Sequence, residues 1–508
     1  MTEASTETRA APPPTPAAVD YEPVIGLEVH AQLLTESKMF CGCSARYAGA
    51  APNSLVCPVC LGMPGVLPVI NERAVEFTVL TALALNCQIP EYSKFDRKNY
   101  NYPDLMKGYQ ISQFDLPLSQ NGFLEIPDPA APGETRRAGI TRVHLEEDTA
   151  NLKHERDASG ETYSLMDVNR SGVPLMEIVG EPDLRSPEEA GAYLRELRAV
   201  LRYIGVSTAH MEEGAFRCDA NVSLRPVGTT ALGAKVEVKN MNSFRAVERA
   251  LAFEIARQAE VLRAGGRIPQ ETRGWVEERG VTVSQRSKEE AHDYRYFPEP
   301  DLPPLFLTAD WVEGIRAGLP ELPAPKRRRF VAEFGLSPQD AFTLTASRDL
   351  AAFYEATVQA GAAPRSAANW ILRDVLRLVN ASGAEIESGR LSPLNLASLI
   401  KLVESGALTR ATGTEVLEES FRSGADPAKL VADRGLSQVS DAAALDALVE
   451  NVLADPGSQK AITDFRAGKE NAVMFLVGAV MKQTRGRANA SVVRDLLKKR
   501  LEASPDQG

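Results

Sequence analysis

Four segments of this chain alternate apolar and polar residues with a period of two, and their polar positions hold residue types that strands ordinarily avoid. In VIGLEVHAQL, Ile25, Leu27, Val29, Ala31 and Leu33 share one side, while Glu28, His30 and Gln32 share the other. FRCDANVSLR sets Phe216, Cys218, Ala220, Val222 and Leu224 against Arg217, Asp219, Asn221, Ser223 and Arg225. AKVEVKN opposes Val236 and Val238 to Lys235, Glu237 and Lys239, and RVHLEED opposes Val143 and Leu145 to Arg142, His144 and Glu146. One such face ordinarily meets water. A solvated face is rich in Lys, Glu and Thr, however, whereas this one collects Asp, Asn, His and Arg, which have poor strand propensity and need another reason to be there.

Two amphipathic helices are predicted to cover the apolar side. The first has Ser186 as cap, Pro187 in the first turn and Glu189 as capping-box acid, followed by Ala190, Tyr193, Leu194, Leu197, Val200, Leu201 and Ile204 at helical spacing. The second begins near Asn242 or Ser243, carries Val247, Leu251, Ile255, Ala259 and Leu262, and stops at Gly265 and Gly266. The pattern is that of an α+β protein with a largely antiparallel sheet backed by helices. After the Pro-rich PEPDLPPL, Pro298 to Leu305, only helical patterns remain. All five histidines and all six cysteines precede Asp301, so the chemistry is expected in the front portion.

On the polar face, Glu28, His30, Glu146, Glu147, Glu177, Glu212, Glu213 and Asp219 are candidates to hold a hard cation such as magnesium. Arg142, Arg170, Arg217, Lys235 and Lys239 supply the opposite sign. Carboxylate-held metal among fixed cations is the equipment of phosphoryl transfer, in which catalysis is mostly positioning and charge neutralisation. The chain has neither GxxxxGK[ST] nor GxGxxG, so any nucleotide must be recognised by this sheet and its loops. The segment from Lys94 to Asp115 mixes Tyr100, Tyr102 and Tyr109 with Arg97, Lys98 and Lys107, and such segments can stack and clamp a nucleotide or an RNA end.

Cys41 and Cys43 form CxC, and Cys57 and Cys60 form CxxC thirteen residues later. That spacing suits four thiolates around one zinc, and four sulfur ligands leave no open position, so the metal would fasten a loop rather than catalyse. A redox CxxC lacks its usual strand and helix setting here. Cys87 and Cys218 lie in apolar runs and read as buried structural thiols.

At 508 residues the chain is long enough for two or three domains. Its formal charge of −11 excludes coating nucleic acid by net charge alone, so an RNA contact has to be local. Residues 1–20, rich in Ala, Pro and Thr, read as a disordered leader and not a signal peptide. The longest apolar run, Ala472 to Met481, is far short of the roughly 20 residues of a membrane helix, and a cytoplasmic location is expected.

Taken in order, IGLEVHAQL, the cysteine knuckle, FDRKNYNYPDLMKGYQISQFD, VHLEEDTA, DVNRSGVPLMEIV, EEGAFRCDANVSLRP, EVKNMNSF and DYRYFPEPDL resemble the motifs of the tRNA-dependent amidotransferase B-subunit family. The resemblance runs from about Tyr21 to the C-terminus. It implies a kinase-like cradle over residues 21–305 with a zinc knuckle at 41–60, a helical connector over 306–358 and an all-α YqeY-like tail over 359–508. The implied reaction is ATP-dependent phosphorylation of the side-chain carboxylate of Glu-tRNA(Gln) or Asp-tRNA(Asn), then displacement of phosphate by ammonia. No amidase Ser-Lys set or glutaminase GxCxG is present, so ammonia would come from a partner A subunit, and a small C subunit would brace the assembly.

By the same analogy Glu28, His30, Glu147 and Glu177 fall at magnesium-binding and catalytic positions, with Glu146, Glu213 and Asp219 nearby. Arg142, Asn169, Arg170, Arg217, Asn221 and Lys239 are candidates for ATP contact. Strict alternation puts Glu146, not Glu147, on the polar face unless a bulge intervenes, so the two remain open as metal ligands. In the tail, Lys482, Arg485, Arg487, Arg494, Lys498, Lys499 and Arg500 form a basic cluster that the family assigns to tRNA. Two rival readings are an ATP-dependent carboxylate-amine ligase acting on free amino acids and a non-catalytic zinc-bearing tRNA scaffold.

Overall fold

The structure, a computed structural model, describes residues 20–131, 133–287, 294–383, 386, 389–436, 442–484 and 488–503. The leader 1–19 and the tail arginines Arg485 and Arg487 lie outside the described residues. Two compact units divide between Ala324 and Pro325.

The first unit is built on an eight-stranded sheet. From one edge its strands are Val281–Ser287, Glu271–Val276, Val236–Lys239, Phe216–Pro226, Tyr21–Gln32, Pro174–Gly180, Thr135–Glu147 and Ser119–Pro127. Every pairing is antiparallel except that of Val236–Lys239 with Glu271–Val276. The helix Phe244–Arg263 makes the connection between those two, as a parallel pair requires.

The period-two pattern decides which side is covered. Ile25, Leu27, Val29 and Ala31 are at most 1% exposed, as are Phe216, Ala220, Val222, Val236 and Val238. Two helices lie on this side. Pro187–Tyr203 starts where the Ser186 hydroxyl accepts from the Glu189 amide at 3.1 Å, and the Glu189 carboxylate reaches back to the Arg185 amide at 2.7 Å. Phe244–Arg263 starts with Ser243 capping Ala246 and is followed by Gly265 at φ +76°. Leu194, Leu197, Leu201, Val247 and Leu251 are wholly buried in the same core.

A three-stranded sheet of Asp96–Asn99, Tyr109–Ser112 and Phe297–Pro298 lies at the end of the Thr135–Glu147 strand. There the Gln110 side chain donates to the Glu147 carbonyl at 2.7 Å. The segment expected to be a connector is shared between the units. Its helix Ala309–Ala317 packs Trp311, Val312 and Ile315 on the first core, whereas Phe330 belongs to a core of the second unit.

The second unit is helical throughout its described residues and holds two cores. One centres on Phe330, Tyr354, Trp370, Leu396 and Leu417; the other, nearer the C-terminus, on Val449, Leu476, Val480, Val493 and Leu497. Among the described residues no helix is long and apolar enough to cross a membrane.

Candidate active site

Strand register brings the unusual polar residues into one row. Arg217 pairs with His30, His30 with Glu177, and Glu177 with His144, so four adjacent strands each place one group at the same level. His30 Nε2 lies 3.3 Å from Glu177 Oε2 and 3.6 Å from Glu146 Oε1. His144 Nε2 lies 3.4 Å from the same Glu177 oxygen, while its Nδ1 faces Arg142 Nε at 3.3 Å. An arginine only donates, so Nδ1 accepts and a neutral His144 carries its proton on Nε2, toward Glu177. Arg142 thereby fixes a tautomer that orients a carboxylate.

His30, Glu146 and Glu177 each offer a ligand atom within 4.8 Å of the others. Glu147 is not among them. No register shift occurs between Glu146 and Glu147, so alternation turns the second carboxylate the other way. Glu147 is instead ion-paired with Lys107 and accepts from the Ile111 amide at 3.0 Å. Glu146 takes a hydrogen bond from the Ser112 hydroxyl at 3.0 Å.

Glu28 sits one register step along, opposite Asp219, and accepts from the Asn221 amide at 3.0 Å. Burial raises its pKa, and the carboxylates of Glu177, Glu237 and Asp219 push it further in the same direction. Lys239 holds Asp219 at 2.7 Å and Glu237 at 3.2 Å. For Glu177 burial acts upward, yet the imidazoles of His144 and His30 outweigh it and hold the carboxyl well below its ordinary range. His30 is shifted upward: burial opposes its charged form, but the hydrogen bond and charge of Glu177, with Glu146, prevail.

The donor set fits a hard divalent cation. Oxygen ligands and one imidazole converge, the surrounding carboxylates exceed what Lys239 and Arg217 neutralise, and the buried Asn221 Oδ1 has no hydrogen-bond partner among the described residues. The four-cysteine cluster fits a softer metal. Its sulfurs also lie within 4.8 Å of one another, and Cys57 and Cys60 are 3.9 Å apart, close to the roughly 3.8 Å edge of a tetrahedron with 2.3 Å zinc–sulfur bonds. Cys60 is the thiol held low, first by its hydrogen bond with Cys41 and also by the ammonium of Lys38. Lys38 is only 1% exposed and donates to the Leu55 carbonyl at 2.9 Å.

Several predicted residues go elsewhere. Asn169 bonds the backbone of the knuckle loop at Leu55 and Ala51, both at 2.8 Å, and Arg170 bonds the carbonyls of Thr149 and Ala150 at 2.9 Å. The DVNRSG turn therefore braces the knuckle rather than facing the row. Glu213 is exposed, near His210 at 3.4 Å, and is not part of the cluster. In the tail, Lys482 is exposed, while Lys498 pairs with Glu470 at 3.1 Å and Arg500 with Asp446 at 2.9 Å.

Three groups of the site lie outside the expected ligands, catalytic groups and ATP contacts, although Lys98 belongs to the Lys94–Asp115 segment expected to clamp a nucleotide or an RNA end. His144 has the parity of the row, yet no ligand or catalytic role is expected for it above. Lys98, on the small sheet, stays charged against burial because Glu146, Tyr296 and Glu177 face it. Asp148 is 3% exposed and takes Gln32 Nε2 at 2.7 Å and Arg217 at 3.0 Å, with Arg170 at 3.7 Å. Tyr47, just past the CxC pair, reaches the same Gln32, so this network ties the knuckle loop to Arg217. The run of three acids, EED, is the only sign of Asp148 in the sequence.

Residues 23–313 match the family described as the GatB/GatE catalytic domain, and residues 352–501 the family described as the GatB domain. The chain is 58% identical over 485 residues to the B subunit of the aspartyl/glutamyl-tRNA(Asn/Gln) amidotransferase of Thermomicrobium roseum, covering 95% of this chain and 99% of that one. It is 55% identical over 492 residues to the protein of that name from Dehalococcoides mccartyi and 53% over 482 residues to that of Carboxydothermus hydrogenoformans. Both alignments cover 95% of this chain and 99% of the relative.

Proposed function

Because the chain belongs to the family of aspartyl/glutamyl-tRNA(Asn/Gln) amidotransferase B subunits, we propose that its row of Glu28, His30, Glu146, Glu177 and Asp219 activates the side-chain carboxylate of Glu-tRNA(Gln) or Asp-tRNA(Asn) with ATP. The protein is one component of a multi-subunit, glutamine-hydrolysing ligase of translation that acts on tRNA. The observation that carries the site assignment is the convergence of His30, Glu146 and Glu177 within 4.8 Å on the polar side of the central strands, opposite the apolar side that the helices cover.

Magnesium bound to those three residues would neutralise phosphate charge. Arg217, Lys239 and Arg142, with Lys98 above, would draw the polyphosphate onto the row, and Asn221 would hold Glu28 in place. A side-chain carboxylate oxygen then attacks the γ-phosphorus, the bond to ADP breaks, and an acyl phosphate forms. Ammonia adds to the acyl carbon, phosphate leaves, and the proton surrendered by nitrogen goes to phosphate or to a basic group of the row. Ammonia is drawn from a glutaminase A subunit, and a small C subunit completes the assembly.

Zinc in the four-cysteine cluster fastens the knuckle, the basic tail including Lys482 contacts tRNA, and the work is done in the cytoplasm. Phosphate release from ATP by the complete complex, with and without Glu-tRNA(Gln) and Asp-tRNA(Asn), tests the proposal. Release that requires the charged tRNA and disappears in His30→Ala is the expected result. Equal release with free glutamate would point to an amino-acid ligase, and release unchanged in both Glu28→Ala and His30→Ala would support a non-catalytic scaffold.

A further inference from the structure

Two carboxylates of the row are each held by a donor that is not itself a candidate ligand: Ser112 donates to Glu146 and Asn221 to Glu28, both at 3.0 Å. Glu177 meets only imidazole nitrogens among the described residues, His30 Nε2 at 3.3 Å and His144 Nε2 at 3.4 Å, both at Oε2. A histidine nitrogen that ligates a metal has no proton to donate. With His30 Nε2 turned to a cation, the hydrogen bond left to Glu177 is that of His144.

A β-bulge puts His144 in this place. The ladder between Thr135–Glu147 and Pro174–Gly180 sets Ile140 opposite Gly180 and then Arg142 opposite Val179, so Thr141 is an extra residue. Ile140 is buried in the core, and the extra residue turns Arg142, His144 and Glu146 to the other side, where His144 meets Glu177. The register of Ile140, continued without the bulge, would set His144 against Met176, which is wholly buried in the core. The ring is also fixed from behind. Arg142 Nε donates to Nδ1 at 3.3 Å, which leaves the proton of the neutral ring on Nε2. At 2% exposed, His144 is out of reach of a substrate.

We infer that His144 is a positioning residue of the reaction: fixed by Arg142, its Nε2–H holds the Glu177 carboxylate in the orientation in which Glu177 and His30 together take a divalent cation. The inference rests on the proposed metal role of the row and deepens it. Donors of this kind, outside the ligand set, ordinarily account for about 10- to 100-fold in metal affinity.

Manganese binding to the full-length chain, followed by electron paramagnetic resonance, reads the site without recourse to activity. Wild type should bind an ion that His30→Ala loses. His144→Leu should weaken manganese about 10- to 100-fold, whereas His144→Gln, whose amide nitrogen reaches where Nε2 stood, should stay within about threefold of wild type. Nitrogen NMR of the histidine-labelled chain should show His144 with its proton on Nε2 alone, and a mixture of both tautomers in Arg142→Met. A proton on Nδ1 in wild type, an unchanged tautomer in Arg142→Met, manganese affinity within about twofold in His144→Leu, or equal losses in the Leu and Gln variants overturns the positioning role alone. Equal manganese binding by wild type and His30→Ala overturns the metal role of the row, and the positioning role with it.

Discussion

His30 and Glu177 face each other across directly paired strands, Nε2 3.3 Å from Oε2, and Glu146 closes the group from the neighbouring strand while Glu147 turns away. Glu146→Gln should therefore raise the magnesium concentration needed for half-maximal phosphate release about tenfold or more, since it removes one charged ligand. Glu147→Gln should leave that concentration within about twofold and instead loosen the segment held through Lys107 and Ile111. Magnesium titrations of both variants, with hydrogen exchange of the Ile111 amide, check the contrast. A larger metal defect in Glu147→Gln would reassign the ligand.

A tetrathiolate metal site carries excess negative charge, and the nearly inaccessible Lys38 is the cation beside it. Lys38→Met keeps most of the volume and removes the charge, so zinc affinity should fall about 10- to 100-fold in chelator competition. Cys60→Ser should remove the metal from purified protein by mass spectrometry and lower the thermal midpoint. Because Asn169 and Ser171 hold the knuckle from the DVNRSG turn, Asn169→Ala should sensitise the folded protein to chelators in the same direction.

Alternation makes the sheet, its covered face and its reactive face legible in the sequence, because a period of two assigns every side chain from Tyr21 to Gln32 to a side. The caps Ser186 and Ser243 are equally plain, since capping is chemistry within four residues. Contacts across many residues are not legible in this way. Asn169 and Arg170 are expected as nucleotide contacts from the family resemblance, and only the fold shows their polar atoms committed to Leu55, Ala51, Thr149 and Ala150. The same holds for Asp148, whose partners Gln32 and Arg217 are 116 and 69 residues away. Alternation does decide between Glu146 and Glu147 as the residue facing His30, because the ladder has no bulge there.

Asp148 gives a stability prediction with a definite sign. Burial works to raise its pKa, but Arg217 and Arg170, with the hydrogen bond from Gln32, prevail and lower it below the ordinary 3.8. A depressed folded-state value means that the native chain binds fewer protons than the unfolded chain in that window, so the stabilisation is complete above pH 3.8 and is lost as pH falls through the folded value. Asp148→Asn should cost about 2–3 kcal/mol at pH 7, below the range for a fully buried pair because Arg217 is one-third exposed. Urea unfolding should show the gap between wild type and variant narrowing in acid. A gap independent of pH would mean that Asp148 acts by packing alone.

The tail's basic residues are not equivalent, and their pairing ranks them. Arg500 and Lys498 answer to Asp446 and Glu470, so part of their charge is already used inside the second unit. Lys482 is exposed near the end of the Val473–Gln483 helix, and among the described residues no ion pair offsets its charge in that way. Each lysine that displaces counterions from RNA contributes about one ion to the salt dependence of binding. Lys482→Ala should therefore reduce the slope of log affinity for tRNA against log salt by about one and leave thermal stability unchanged. Arg500→Ala should change the slope less and lower the melting temperature of the tail, because it leaves Asp446 without its partner. Filter binding across a salt series, with scanning calorimetry of both variants, decides the matter, and the reverse ranking would exclude Lys482 from the RNA surface.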